Sequence, residues 1–145
     1  MIRTSGRGYE AATLAAGRAT GPVLVLSEPL SFWGGFDPAT GRIIDRHHPQ
    51  LGAALAGAVL VLPGGRGSSS SSSVLAEAIR AGTAPAAIVL READPIVALG
   101  ALVAAELYGH RMPVVQIDEP GYRALRPGMV VAVSAADDGA RITPS

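Results

Sequence analysis

The chain has 145 residues, with 12 basic and 12 acidic side chains; 48% of it is hydrophobic, yet aromatics make up only 4%. That length suits one domain spanning 1–145 with a core of its own, and the even charge excludes the basic footprint of a nucleic-acid binder or a polybasic membrane surface. Every basic residue is arginine and cysteine is absent, which removes Schiff-base lysine chemistry, thiol chemistry, disulfides and thiolate-held clusters from this chain alone.

Met1–Ser5 and the Gly-Arg-Gly after it lack the apolar run of a signal peptide, and no stretch is apolar for long enough to span a bilayer. A soluble, cytoplasmic protein is expected. Short apolar runs bounded by turn residues then follow. Ala11–Ala15 is the weakest strand candidate, and a turn over Arg18–Gly21 pairs it with Val23–Leu26. Ala58–Leu62, Ala87–Leu90, Val114–Ile117 and Met129–Val133 are nearly continuous in apolar residues and rich in β-branched ones. They read as strands covered on both faces. Ala140–Thr143 closes a last hairpin through Asp137-Asp138-Gly139.

Two segments carry a helical period. Val74, Leu75, Ala78 and Ile79 share one face, opposite Glu77 and Arg80, with Gly82 as a stop. Pro95–Tyr108 has Asp94 as its N-cap, proline at its first position and Gly109 beyond its end. It is apolar nearly all round and is expected to be sandwiched. Strand, helix, strand, helix, strand from Ala58 to Ile117 predicts an α/β fold with a mixed sheet, in β/β/α layers.

Pro63-Gly64-Gly65-Arg66-Gly67 leads into an unbroken serine run, Ser68–Ser73. Such composition usually marks a flexible linker. Here a buried-type strand enters the run and an amphipathic helix leaves it, so the stretch reads as a strand-to-helix turn at the carboxyl end of a sheet strand. Open α/β sheets place ligands there. Glycines allow close backbone approach, the helix start favours negative charge, and hydroxyls add donors. A carboxylate or phosphate is the expected ligand, with Arg66 as a charged clamp. No Gly-x-Ser-x-Gly elbow is present, so a serine–histidine–acid hydrolase has no spacing to support it.

Two motifs resemble one known family, the small subunit or swivelling domain of the aconitase X proteins. One is the Pro63–Glu77 serine turn. The other is Pro29-Leu-Ser-Phe-Trp-Gly-Gly-Phe-Asp-Pro-Ala-Thr-Gly-Arg-Ile-Ile-Asp-Arg-His-His-Pro49, longer and more distinctive. The likeness covers the chain from about Gly6 to Thr143 and implies a swivelling β/β/α domain. It also implies a hydro-lyase subunit, inactive until a large subunit supplies an iron–sulfur cluster on its own cysteines. Gly65-Arg66-Gly67-Ser68-Ser69 matches the wider superfamily's serine loop, which makes Ser68 the catalytic base. Arg66, Gly67, Ser69 and Ser70 become substrate ligands. Ser70 stands where aconitase has a substrate-binding arginine, which argues for a substrate with fewer negative charges than citrate. Within the family, the loop and Phe32-Trp33-Gly34-Gly35 are more similar to bacterial cis-3-hydroxy-L-proline dehydratases, which form Δ1-pyrroline-2-carboxylate. The archaeal phosphomevalonate dehydratases are the alternative, and an anion-binding module of the same fold without catalysis is another. A small hydroxy-acid or hydroxy-amino-acid substrate is thus expected, with neither nucleic acid nor membrane as partner.

Phe32 and Trp33 are read as anchors for the large subunit, because aromatics concentrate at interface centres. Adjacent side chains on an extended chain point apart, so His47 and His48 are no metal pair. They are assigned to the surface or to an interface, His48 being the better match to the family pattern, and no metal is assigned. Asp118-Glu119-Pro120 is read as a solvated turn.

Overall fold

The computed structural model describes residues 8–65 and 69–145. Among them, β1 (Tyr9–Ala15), β2 (Gly17–Val25), β5 (Val59–Leu62), β6 (Ala87–Leu90), β7 (Val114–Gln116), β8 (Val130–Ala136) and β9 (Gly139–Pro144) close into one barrel. Its order is β1-β7-β6-β5-β2-β8-β9. A small outlying pair, β3 (Phe36–Asp37) and β4 (Arg42–Ile43), follows a short helical turn α1 (Phe32–Gly35). The longer helices are α2 (Ser70–Ala81) and α3 (Pro95–Tyr108), with a short α4 (Glu119–Ala124) after β7.

The expected strand–helix–strand–helix–strand unit is present as parallel β5-β6-β7, crossed over by α2 and α3. Alternation explains how both faces of β5 are buried. Val59 and Val61 enter the barrel with Val23, Val89, Val115, Val133 and Ile142. Leu60 and Leu62 face outward with Ile88 and Leu90 against Leu75, Ile79, Val97 and Ala101 of the helices. A small barrel is filled by its own side chains, so valine and alanine suit its interior, and the low aromatic content follows from the architecture.

α3 has the predicted bounds. Asp94 caps it by accepting hydrogen bonds from Ile96 and Val97, and Gly109 ends it in the left-handed region with φ 71°. Its surroundings differ from expectation. Leu99, Leu102, Leu107 and Tyr108 are exposed, because α3 packs on α2 and the sheet with one face and nothing among the described residues covers the other.

The first hairpin is also corrected. β1 does not pair with β2; it joins β9 over Tyr9–Ala11 and β7 over Ala12–Ala15. Only Ala16 separates β1 from β2, too little chain for a hairpin, which takes two or more turn residues. The supposed turn Arg18–Gly21 lies inside β2 and pairs with β8, after which Val23–Val25 pair in parallel with β5. Gly21 and Pro22 read as turn residues but serve a close approach. A Cβ on Gly21 would overlap the Gly57 carbonyl oxygen, and Pro22, with no N–H to give, falls where β2 changes partners. The last hairpin stands, with Ala136 opposite Gly139.

Candidate active site

Parallel β5, β6 and β7 deliver their following loops to one edge of the barrel, and the serine turn is the first of these. Arg66, Gly67 and Ser68 lie outside the described residues. The segments on either side of them are held by one loop. Leu30 forms a parallel bridge with Gly65, just before the turn. Trp33 donates its backbone N–H to Ser71 Oγ at 3.1 Å, just after it. Ser31 Oγ donates to the Trp33 carbonyl at 2.8 Å and fixes the bend between these contacts. The Leu30–Trp33 stretch thereby holds Gly65 and Ser71, described residues on either side of positions 66–68 in the sequence.

The serine run is only partly a turn. Ser70–Ser73 belong to α2, and Ser69 is its N-cap, in a helical conformation and without a side-chain capping bond. Ser72 Oγ donates instead to the Ser69 carbonyl at 2.8 Å. Ser69 and Ser70 are exposed at the helix start, whereas Ser71 is 5% exposed. The sequence reading missed Ser71 as a structural residue. Its signal was the helical period, since Ser71 lies one turn before Leu75 and in phase with Ala78 and Ile79.

Of the three residues assigned to an interface, only Trp33 presents surface, at 58% exposure. Phe32 is 1% exposed and packs edge-on against Phe36 with centroids 5.4 Å apart. His48 is 5% exposed, which corrects its placement at the surface. Its Nδ1 accepts from the Gln50 N–H at 3.0 Å, so Nε2 carries the proton and faces the Glu28 carbonyl at 3.3 Å. Gln50 in turn accepts from the Ser27 N–H and donates to the Val25 carbonyl. His48 and Gln50 therefore secure the chain between β2 and Leu30. His47 is exposed, and the pair lies in a turn, not on the extended chain that was expected. Ile44 and Leu51 are exposed apolar side chains of the same outlying segment as Trp33.

Asp118 and Glu119, expected as a turn, begin α4: Asp118 accepts from the Gly121 N–H at 3.0 Å. Glu119 meets Arg123 at 2.8 Å and Arg91 at 3.4 Å. The hydrogen bond from Arg123, more than the charges of Arg123 and Arg91, holds its carboxyl below the usual carboxylate range. Burial pushes the Tyr122 phenol up, against the opposing charge of Arg91, whose guanidinium lies 5.7 Å from the ring centre. Arg91, Asp118 and Glu119 border an open groove of about 720 Å³, lined also by Glu10, Glu92 and Gln116 among others. Its Glu92 donates its backbone N–H to the Pro63 carbonyl at 3.1 Å, at the end of β5. Its acids outnumber its one arginine, which is already paired, so a carboxylate or phosphate is better served at the α2 start.

Among the described residues, no group of three or more His, Asp or Glu side chains is placed to hold a metal ion. With no cysteine in the sequence, this chain does not fit an iron–sulfur cluster as its principal ligand source. No described helix is long and apolar enough to cross a membrane.

Comparison with known proteins bears on this geometry. The family described as the aconitase X swivel domain matches residues 8–142. A cis-3-hydroxy-L-proline dehydratase of Pseudomonas aeruginosa is 55% identical over 74% of this chain. A second, from Hypocrea jecorina, is 40% identical over 87% of it. The matched stretch spans 18% and 21% of those two proteins, so the chain corresponds to about a fifth of their length. A phosphomevalonate dehydratase small subunit of Methanosarcina acetivorans is 36% identical over 94% of this chain and 88% of its own. The fold matches a chain in the crystal structure of Thermococcus kodakaraensis aconitase X (holo-form), with TM-score 0.81 and 36% identity over 94% of this chain and 98% of that one.

Proposed function

The chain belongs to the aconitase X swivel-domain family, and from that premise we propose that it is the small subunit of a hydro-lyase that dehydrates cis-3-hydroxy-L-proline. The observation that carries this reading is the hold of Leu30 on Gly65 and of Trp33 on Ser71, on either side of positions 66–68 in the sequence. A loose linker needs no such clamp. A loop that must present one serine to a substrate does.

In this mechanism Ser68, as alkoxide, takes the α-proton of the substrate. The C3–O bond breaks, the leaving hydroxide takes up a proton from solvent and departs as water, Ser68 returns the α-proton to solvent, and the enamine tautomerises to Δ1-pyrroline-2-carboxylate. Arg66, the Gly67 backbone and the hydroxyls of Ser69 and Ser70 hold the substrate carboxylate at the α2 start, where the helix dipole favours negative charge. A large subunit carries the iron–sulfur cluster and closes the site against Trp33. Phe32 and His48 serve that contact from below, Phe32 by packing under the loop and His48 by holding its approach.

Phosphomevalonate is the second candidate substrate, favoured by the 36% identity over 94% of this chain to a phosphomevalonate dehydratase small subunit. The test is the assembled two-chain enzyme given each substrate in turn. Turnover of hydroxyproline alone supports the first reading, and turnover of phosphomevalonate alone replaces it. Ser68→Ala is expected to lower kcat by about 10²–10⁴-fold, the usual worth of a positioned base. Near-normal turnover would reduce Ser68 to scaffold and favour an anion-binding module.

A further inference from the structure

Two features near the serine turn are unexplained by local structure, and each explains the other. The first is Asp94. Capping α3 uses only its Oδ1, which accepts from the Ile96 N–H at 2.9 Å and the Val97 N–H at 3.3 Å. Serine, threonine or asparagine would cap as well, so the helix has no need of the second oxygen. The second is Gly65. Its φ lies outside the left-handed region, unlike that of many glycines in this chain, so its dihedrals do not call for glycine. A Cβ at position 65 would nevertheless overlap Asp94 Oδ2, with Asp94 Cγ at 2.9 Å and Val97 Cγ2 at 3.3 Å. The oxygen that α3 does not need occupies the space that Gly65 leaves open.

We propose that Asp94 is the positioning residue of the serine turn, its Oδ2 seated on Gly65 and fixing where the chain enters Arg66-Gly67-Ser68. Gly65 is held on its other side by the Leu30 bridge. The residue leading into the turn is thus gripped between the β2–α1 loop and the start of α3. α3 is one of the two helices packed on the parallel strands, so the grip ties the reactive turn to the rigid part of the fold. This inference rests on the dehydratase reading only for its kinetic consequence. Displacement of a reacting group by about 1 Å costs on the order of 10²-fold in rate, and residue 65 is three positions from Ser68.

The experiment is a double-mutant cycle on Asp94→Ser and Gly65→Ala. Serine keeps the cap and removes Oδ2; alanine places a methyl group where Oδ2 had been. Each single variant is expected to lower kcat of the assembled enzyme by about 10–100-fold, with a smaller change in KM. Asp94→Ser should keep its thermal midpoint within a few degrees. The double variant should regain at least about tenfold over Gly65→Ala, because the methyl group fills the vacated space. The same cycle is read without activity from the backbone amide resonances of Ser69–Ser72 in this chain, which should shift in the single variants and return in the double. Additive losses with no return of the amide shifts, or wild-type kcat in Asp94→Ser, overturn the proposal. An assembled wild-type enzyme inert toward both substrates would overturn the dehydratase reading alone, since the amide cycle still decides the role of Asp94.

Discussion

Gly100 sits inside α3 where two effects of known size oppose each other, which makes Gly100→Ala a sharp test of how closely the crossover helices are packed. Alanine is the better helix former by about 0.8–1 kcal/mol at an interior position, so propensity alone predicts a more stable protein. The structure predicts the reverse. A Cβ on Gly100 would lie 2.9 Å from the Ser72 carbonyl oxygen and 3.1 Å from both Cβ and Cδ2 of Leu75. Carbon and carbonyl oxygen settle at about 3.3–3.6 Å, so the helices must part by about half an ångström. The first obstacle is backbone and the second is a fully buried leucine, and neither gives way by rotating a free side chain. Overpacking of this kind costs about 1–3 kcal/mol, and the balance is a loss of about 1 kcal/mol. For a chain of this size that lowers Tm by about 2–4 °C, measurable by circular dichroism. Ser72 belongs to the first turn of α2, so the serine turn moves with it and kcat of the assembled enzyme should fall by more than the stability loss accounts for. A rise in Tm with unchanged kcat would refute the packing argument.

Thr13 Oγ1 is buried with no hydrogen-bond partner among the described residues, beside Val115 in the β1–β7 pairing. Thr13→Val keeps the shape and removes the desolvation penalty, so it should stabilise the chain by about 1 kcal/mol; a lowered Tm would show that the hydroxyl is satisfied. Trp33→Ala removes an exposed ring and should leave Tm nearly unchanged. It should weaken assembly with the large subunit by about 30-fold or more in Kd, as the loss of a central aromatic anchor does, and an unchanged Kd measured by titration calorimetry would remove Trp33 from the interface.

The parts legible in the sequence were those governed by local pattern. The bounds of α3 follow from Asp94, Pro95 and Gly109, and each acts within a few residues of its own position. The parallel strands follow from uninterrupted runs such as Val59–Leu62. The pairing of β1 was not legible, because nothing within Tyr9–Ala15 states that its partners lie at Gln116 and Ile142. Gly21-Pro22 misled for a related reason. Glycine signals either a turn or a close approach, and the carbonyl of Gly57 that decides between them is 36 residues away in sequence. The exposed face of α3 was hidden by its uniform apolar composition, which records that both sides want cover and not which side this chain supplies.

The site divides along the same line. That a Gly-Arg-Gly-Ser sequence precedes a helix is local information, and it is what the proposed chemistry rests on. How its flanking residues are held is entirely non-local: Leu30 and Asp94 meet Gly65, and Trp33 meets Ser71, from two other loops. Each of these holds by a backbone or by an atom whose purpose is invisible in one dimension. Asp94 looks like an ordinary N-cap because a cap explains its position in the sequence completely. Gly65 looks like one glycine of a flexible run. Only their contact shows that the spare oxygen of one and the missing methyl group of the other are the same fact. It follows that a substitution at either position should be judged with its partner, because a methyl group at residue 65 and the second carboxylate oxygen of Asp94 compete for one space.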